Sequence, residues 1–303
     1  WDSGAPGAKL ADQFAKISTS DKENTLAFAR TSEIDGVMTL SSELAVPVVA
    51  YVSEKLGLNT GLNQDIALRA TNKNAMHQAF VANGTPCAPS KNVDGLGELQ
   101  VFVKDHGFPV VIKPSDSSGQ KGVCVCYSEE ELDRAIEEAV AFSTDGYAIA
   151  EKYIEGPEIN VTAMVCNGAV ECLSFSHRVT APPPHFGIAL EHVVPPSINQ
   201  DSLRGVKEAA EKAIQAIGLK NGIAYPQIIA SAVHGARVIE IAARIPGGYM
   251  REVALLSSGV DLIEVAICQS LGIHLFRPYF ETYPKYRAAR VNFLTKLDYP
   301  ETT

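Results

Sequence analysis

An acidic and a basic residue lie near the end of an apolar stretch around position 240. Glu240 lies in the apolar run 238–243, and Arg244 follows this run, before a turn at Gly247 and Gly248. An anion inside such a strand is costly unless it is paired or a cation binds beside it. The pattern indicates a divalent metal next to an anion, as in a phosphate-handling site. A strand salt bridge followed by a glycine turn is the equally weighted alternative.

A loop of small residues follows a strand that delivers Lys113. The loop contains Ser117, Ser118, Gly119 and Gly122, and a second strand leaves it. Small side chains allow backbone N–H groups to approach phosphate oxygens closely. The loop is not a P-loop, because the pattern GxxxxGK[ST] is absent and a strand follows instead of a helix. A flexible hairpin with surface lysines is the alternative.

A third group of residues closes another predicted strand. Glu151, Lys152, Tyr153 and Ile154 end this strand, and Glu158 opens the next one after a turn. Exposed backbone at the strand end can hydrogen-bond a purine edge, and a carboxylate beyond the turn can reach ribose hydroxyls. Taken alone, these residues are more typical of an ordinary charged hairpin.

The elements that position these residues alternate between strand and helix in the first part of the chain. The predicted strands cover 14–18 and 36–40, and the predicted helices cover 21–31, 43–56 and 65–84. Such alternation is typical of a parallel α/β sheet. The sheet is entered partway, as though a first strand were missing. Lys73 lies in the third of these helices.

Strands predominate after the proline-containing stretch 84–89. They are predicted over 108–113, 123–127, 148–154, 159–166, 223–230, 237–243 and 287–294. Helices are predicted over 96–106, 202–217 and 261–271. Another helix is predicted to begin at a capping box formed by Ser128 and Glu131. The segment 175–196 holds five prolines and three histidines without a clear period. A loop of this length usually covers something, so it is expected to border a substrate pocket.

Length and composition restrict the class of protein. The 303 residues are 46% hydrophobic and 20% charged, which suits two or three subdomains with a substantial core. A net charge of −9 argues against a general nucleic-acid binder. Six dispersed cysteines without zinc spacing predict reduced thiols in a cytoplasmic protein. No apolar run approaches the roughly 20 residues of a membrane span, so no membrane association is expected.

Taken in order, these motifs resemble the ATP-grasp superfamily over nearly the whole chain. The resemblance is closest to carboxylate-amine ligases of the L-amino-acid ligase type, and to the biotin carboxylase and carbamoyl-phosphate synthase branch. It implies a mixed α/β and α+β fold that binds ATP between two lobes. The expected divisions are a partial Rossmann-like domain over 1–85, a small lobe over 86–155 and a large lobe over 156–303.

The resemblance also implies a role for each matching residue. Residues that would bind ATP are the phosphate-holding Lys73 and Lys113, the flap residues Ser117, Ser118, Gly119 and Gly122, the adenine-side Glu151 and Lys152, the hinge residues Tyr153 and Ile154, and the ribose ligand Glu158. Glu240 and Gln227 would bind Mg²⁺, with Mn²⁺ as an alternative ion. Arg244 would steady the acyl phosphate and, with Lys113, serve catalysis.

Two positions depart from the family pattern. Gln227 stands where a second metal-binding glutamate is expected, and Ala242 stands where an asparagine is expected. A glutamine oxygen can still bind Mg²⁺, but the site loses one negative charge. Weak or single-metal binding is therefore expected.

The implied function is ATP-dependent ligation of a carboxylate to an amine or a thiol through an acyl phosphate, which yields ADP and phosphate. The expected partners are small-molecule carboxylates and amines, neither nucleic acid nor membrane, and a homodimer is left open. One alternative is a bicarbonate-activating carboxylase or carbamoyl-phosphate synthase component. Another is a non-catalytic nucleotide-binding subunit, which the two departures motivate.

Overall fold

The computed structural model describes residues 4–116, 122–181, 187–273 and 285–293, which form two antiparallel sheets with helices packed against them. The helices are α1 (Lys22–Thr31), α2 (Val46–Leu56), α3 (Gln64–Thr71), α4 (Lys73–Ala82), α5 (Leu96–His106), α6 (Leu132–Ala141), α7 (Gln200–Ile217), α8 (Met250–Ser258) and α9 (Leu262–Ser270). The strands are β1 (Ser90–Val93), β2 (Val110–Pro114), β3 (Cys124–Cys126), β4 (Ala148–Lys152), β5 (Glu158–Cys166), β6 (Ala169–Thr180), β7 (Ala189–Val194), β8 (Gly222–Ser231), β9 (Gly235–Ala242) and β10 (Ala289–Asn292).

The first 85 residues form helices close to those predicted from the sequence, but not the predicted strands. The strands expected over 14–18 and 36–40 do not form, and only Leu40 makes an isolated parallel bridge, with Ile245. The short run 36–40 is apolar because Val37 packs against α1 and α2, and not because it pairs within a sheet. Burial without pairing gives the same sequence pattern as a strand.

The helix predicted over 65–84 is two helices that meet at Asn72. The Asn72 side chain accepts a hydrogen bond from the backbone N–H of Ala75 and so caps α4. Lys73 is therefore the first residue of α4, and its own N–H donates to the carbonyl oxygen of Ser115 at 3.3 Å. This break directs Lys73 toward the strand that carries Lys113.

The smaller sheet has the strand order β1-β4-β2-β3. Its core face packs on α5 and α6 through buried residues that include Val110, Ile112 and Ala150. Because neighbouring residues of a strand point to opposite faces, Lys113 and Glu151 lie on the other face. The alternation thus places both charges away from the core of this lobe.

The larger sheet has the strand order β10-β7-β6-β5-β8-β9. The 18-residue helix α7 covers one face, where it joins the largest hydrophobic core. On the opposite face, Glu158 of β5 lies opposite Arg178 of β6, and Gln227 of β8 lies opposite Glu240 of β9. The register of β8 against β9 shifts directly after Gln227.

Among the described helices, none is by itself long and apolar enough to cross a membrane. The pair α8 and α9 passes such a test of length and composition only jointly, and the two helices are bent by 102°. Both contribute buried side chains to one hydrophobic cluster, including Ala254 of α8 and Leu262 of α9.

Candidate active site

A cavity of about 460 Å³ lies between the two sheets and the N-terminal helices. This volume is within the range of small-molecule sites. Most residues singled out in the sequence line it: Lys73, Lys113, Glu151, Lys152, Tyr153, Ile154, Glu158, Gln227 and Glu240. These residues come from seven separate elements or connections, so the fold brings them together from distant positions.

Lys113 and Glu151 form a buried ion pair on the wall of the cavity. The Lys113 Nζ donates to Glu151 Oε2 at 2.6 Å, and the two side chains are only 9% and 16% exposed. The sequence assigned these residues to different ends of ATP, whereas here they contact each other. Glu151 therefore holds the Lys113 side chain at the wall of the cavity.

Lys73 lies in the same electrostatic environment. Burial lowers the pKa of its ammonium, the Glu240 carboxylate raises it, and the charge of Lys113 lowers it again. Two lysine ammonium groups that are close and partly desolvated repel each other. A multivalent anion such as a polyphosphate relieves this repulsion when it binds between them.

The strand end 152–154 presents backbone groups to the cavity, but not all of them are free. The Lys152 Nζ donates to the carbonyl oxygens of Gly107 at 3.1 Å and Phe108 at 2.9 Å. The backbone N–H of Tyr153 donates to the carbonyl oxygen of Pro109 at 3.2 Å. Among the described residues, no backbone acceptor faces the N–H of Ile154. This N–H is the donor that can bind a purine edge.

Glu158 forms an ion pair with Arg178 across β5 and β6. The Arg178 Nη1 donates to both carboxylate oxygens, at 3.0 and 2.8 Å, and Nη2 donates to the carbonyl oxygen of Gly187. Burial raises the pKa of Glu158, and Arg178 lowers it. Sequence analysis missed Arg178, which lies in a segment interpreted as loop. The structure shows that residues 169–180 are a strand, followed by β7.

Glu240 and Gln227 both line the cavity and are in direct contact. Gln227 Nε2 donates to Glu240 Oε1 at 2.6 Å, as expected for residues paired across β8 and β9. No group of three or more histidine, cysteine, aspartate or glutamate side chains that could hold a metal occurs in the described part of the chain. A divalent ion here would therefore take its remaining ligands from a substrate or water.

Arg244 does not itself line the described cavity. Its Nη2 donates to Glu43 Oε2 at 3.2 Å, its Nη1 donates to the carbonyl oxygen of Ile245, and its buried Nε has no partner among the described residues. Glu43, which does line the cavity, was not identified from the sequence. Burial raises the pKa of Glu43, as does the nearby Glu240, whereas Arg244 lowers it.

The small-residue loop is only partly described. Ser117, Ser118 and Gly119 lie outside the described residues, and Gly122 stands at the end of the loop with φ of +68°. Asp116, at its start, lines the cavity and accepts hydrogen bonds from Thr144. The anchored start of this loop is therefore next to the two lysines.

Residues 69–277 match the family described as "Carbamoyl-phosphate synthase L chain, ATP binding domain". Alanine–anticapsin ligase of Bacillus subtilis is 26% identical over 270 residues, which are 81% of this chain and 56% of the relative. D-alanine–D-alanine ligase of Geobacter sulfurreducens is 28% identical over 204 residues, which are 64% of this chain and 63% of the relative. The chain thus spans between half and two thirds of the length of these relatives.

The fold also matches solved structures. The crystal structure of an L-amino acid ligase from Bacillus licheniformis superposes with a TM-score of 0.73, over 86% of this chain and 64% of the ligase, at 22% sequence identity. Such a likeness concerns the fold, while the family match covers more than half of the chain. The chain therefore belongs to the family of the carbamoyl-phosphate synthase L chain ATP-binding domain, and its fold is the ATP-grasp fold.

Proposed function

We propose that this protein is an ATP-dependent ligase that joins a carboxylate to an amine, or to a thiol, and produces ADP and phosphate. The observation that carries this proposal is the convergence of Lys73, Lys113 and Glu240 on one cavity. Ile154, whose backbone N–H has no backbone acceptor among the described residues, also lines it. Relatives that are ligases of alanine or D-alanine support the same reaction class.

The chemistry follows from the leaving group. A carboxylate does not react with an amine at neutral pH, because its oxygen leaves poorly. In the proposed reaction a carboxylate oxygen attacks the γ-phosphorus of ATP, ADP departs, and an acyl phosphate forms. The amine then attacks the acyl carbon, loses a proton, and inorganic phosphate departs. Lys73 and Lys113 would neutralise phosphate charge during both steps.

Residues on the cavity wall would bind each part of ATP. The Ile154 N–H would bind the purine edge, and Glu158 would bind the ribose. For this, Arg178 would have to release one carboxylate oxygen of Glu158. Lys152 is held by two carbonyl groups and would fix the end of β4. Arg244, held by Glu43, would face the acyl phosphate.

The oxygen ligands at Glu240 and Gln227 fit a magnesium or manganese ion shared with the phosphates of ATP. A divalent ion keeps few protein ligands when phosphates and water complete its shell, and one carboxylate with one amide oxygen satisfies this need. Such an ion would stabilise negative charge on the transferred phosphoryl group. Gln227 would have to rotate its amide so that the oxygen, and not the nitrogen, faces the ion.

A second candidate is activation of bicarbonate by the same phosphoryl transfer. The match to the carbamoyl-phosphate synthase family favours it. Bicarbonate-stimulated release of ADP, without a hydroxamate from any organic carboxylate, would support this candidate over the first.

Hydroxylamine trapping tests the proposed reaction. The protein is incubated with ATP, Mg²⁺, hydroxylamine and a panel of amino acids and small carboxylates, and ATP-dependent hydroxamate is measured. We expect a hydroxamate with at least one carboxylate and its loss in Lys113→Ala. Lys91→Ala is the control, because Lys91 pairs with Glu98 at the surface, where both side chains are 46% exposed. ATP binding without any hydroxamate would instead support a non-catalytic nucleotide-binding subunit.

The cellular setting is part of the proposal. None of the six cysteines, all of which lie in the described part of the chain, forms a disulfide. Free thiols in strands and helices suit a reducing compartment, so we place the protein in the cytoplasm. Its partners would be small molecules, and self-association into a homodimer stays a prediction.

A further inference from the structure

One wall of the cavity is apolar although its centre is charged. Leu44 and Leu68 line the cavity with Pro47, and the two leucine residues are 66% and 53% exposed. The three side chains belong to the start of α2 and to α3, which are joined beneath them by the buried residues Val46, Ala50 and Ala67. Apolar side chains left exposed inside a cavity are available to pack against a ligand.

Glu43 adds a carboxylate to this apolar wall. Its Oε2 accepts from Arg244, whereas Oε1 has no hydrogen-bond donor among the described residues. Ser41 holds the segment in place, since its N–H donates to the carbonyl oxygen of Ile245 at 3.2 Å and its hydroxyl donates to that of Pro246 at 3.3 Å. Glu43 is thus a fixed carboxylate with one oxygen available to a cation.

The wall lies at the phosphate end of the cavity. The charged groups that act most strongly on Glu43 are Glu240, Arg244 and Lys73. On α3, Leu68 and Asn72 are four residues apart, so they share one face, and Lys73 follows directly. The Ile154 N–H, which is proposed above to bind the purine, lies instead just after β4 of the smaller sheet. Adenine therefore does not account for the apolar wall.

We propose that Glu43, Leu44, Pro47 and Leu68 form the subsite of the amine substrate, and that this substrate combines an ammonium group with an apolar side chain. An α-amino acid with an aliphatic or aromatic side chain, or a derivative of one, has this chemistry. The inference rests on the proposed ligase function, because only a ligase needs an amine beside the acyl phosphate. Glu43 Oε1 accepts from the ammonium, and the three apolar residues enclose the side chain.

Three small amides separate the features of such a substrate. Leucinamide carries an ammonium and an apolar side chain but no carboxylate, glycinamide lacks the side chain, and 4-methylpentanamide lacks the ammonium. Each is titrated by calorimetry into the protein saturated with a non-hydrolysable ATP analogue and Mg²⁺. We expect leucinamide to bind about tenfold or more tightly than either analogue, as apolar pockets discriminate by this order.

Substitutions then assign each preference to its residue. Leu68→Asn and Leu44→Asn should reduce the affinity for leucinamide to that for glycinamide. Glu43→Gln should reduce it to that for 4-methylpentanamide. Val101→Asn is the matched control, because Val101 lies on α5 outside this cavity and is 54% exposed. Leu68→Asn, Leu44→Asn and Val101→Asn should bind the ATP analogue with unchanged affinity, which shows that the nucleotide site is intact.

Equal affinity of the wild-type protein for leucinamide and glycinamide would overturn the inference, as would full leucinamide affinity in Leu68→Asn and Leu44→Asn. These outcomes are independent of the proposed function, because hydroxylamine is small and needs no apolar wall. Hydroxamate formation without amine discrimination would reject the subsite alone. Leucinamide binding without any hydroxamate would reject the ligase reaction and leave the subsite standing.

Discussion

At the scale of single residues, the balance of charge around Glu240 determines what the site can bind. Gln227 is neutral and donates to Glu240, so the pair carries one negative charge. The neighbouring cations are Lys73 and, through Glu43, Arg244. If Glu240 and Gln227 hold the proposed divalent ion, the site has one carboxylate fewer than the ATP-grasp resemblance implies. We therefore expect metal binding to depend on the phosphates of the nucleotide, because a single carboxylate attracts a free ion weakly.

Gln227→Glu is predicted to lower the free energy of unfolding without a divalent ion and to raise the affinity for a divalent ion. Without a divalent ion, the new carboxylate faces Glu240 where a hydrogen bond of 2.6 Å exists now. Two such groups repel, and one of them takes a raised pKa. A carboxyl group whose pKa is higher in the folded than in the unfolded state makes the protein less stable as pH rises. We therefore expect a loss of about 1–3 kcal/mol at pH 8 and a smaller loss at pH 5.

The measurement is urea unfolding at both pH values with and without Mn²⁺, together with the Mn²⁺ dissociation constant. Mn²⁺ should restore the lost stability and bind Gln227→Glu more tightly than the wild-type protein. Gln100→Glu is the control, because Gln100 also donates to a glutamate, Glu129, but at the exposed surface. Unchanged Mn²⁺ affinity would remove Gln227 from the metal site.

At the scale of elements, local signals predicted the strands and helices that carry the lysines and the acidic residues. The strands β2, β4, β8 and β9 and helix α7 follow their apolar periodicity closely. Asn72 explains why one predicted helix is two, since its capping bond is a side-chain contact that periodicity does not register. The predicted strand over 36–40 did not form, because an apolar run indicates burial and not strand pairing.

The roles assigned to site residues were predictable only as far as a motif extends. Lys73, Lys113, Glu151 and Glu240 line the expected cavity, although their individual roles stay predictions. Glu43 was missed because its partner, Arg244, is 201 positions away and no local pattern marks it. Contacts between distant segments depend on the complete fold, and a sequence motif records only what lies near it.

Gly122 connects the small-residue loop to β3, and its surroundings are tightly packed. A Cβ at this position would lie 2.9 Å from the Phe142 ring and 3.1 Å from Pro114, and φ is +68°. Gly84 has a similar φ of +64° but open space around it. Gly84→Ala should cost about 1–2 kcal/mol from backbone strain alone. Gly122→Ala should cost more, because Phe142 and Pro114 must also move.

The free energy of unfolding of both variants in urea measures this difference, and the ATP dissociation constant shows whether the loop is affected. We expect weaker ATP binding in Gly122→Ala and normal binding in Gly84→Ala. Equal destabilisation by the two substitutions would show that the packing around Gly122 adjusts without cost.

At the scale of the whole molecule, long-range contacts join the N-terminal helices to both sheets. Glu43 pairs with Arg244 and Leu40 bridges Ile245, just after β9 of the larger sheet, and the N–H of Lys73 donates to the carbonyl oxygen of Ser115, just after β2 of the smaller sheet, at 3.3 Å. The cavity therefore exists only when all three parts of the chain are folded together. Global stability and formation of the site are expected to be lost in one transition.

His192 is predicted to make global stability depend on pH. It is buried in β7, where burial, together with the nearby charges of Arg178 and His177, lowers the pKa of its imidazole from 6.5 to about 4. The unfolded chain then binds more protons than the folded one between these pH values. The stability that neutral His192 contributes is fully present above pH 6.5 and is lost as pH falls toward 4. The complete loss is about 3 kcal/mol in the free energy of unfolding.

Substitution separates this contribution from that of the other titrating groups. His192→Gln has no imidazole to protonate, so its urea midpoint should fall less between pH 7 and pH 4.5 than the wild-type midpoint does. His106→Gln serves as the control, because His106 is exposed at the end of α5 and should leave the wild-type slope intact. If His192→Gln kept the wild-type slope, His192 would have to become protonated without unfolding. The interior between β7 and Phe293, whose ring lies 5.9 Å from the imidazole, would then have to admit water.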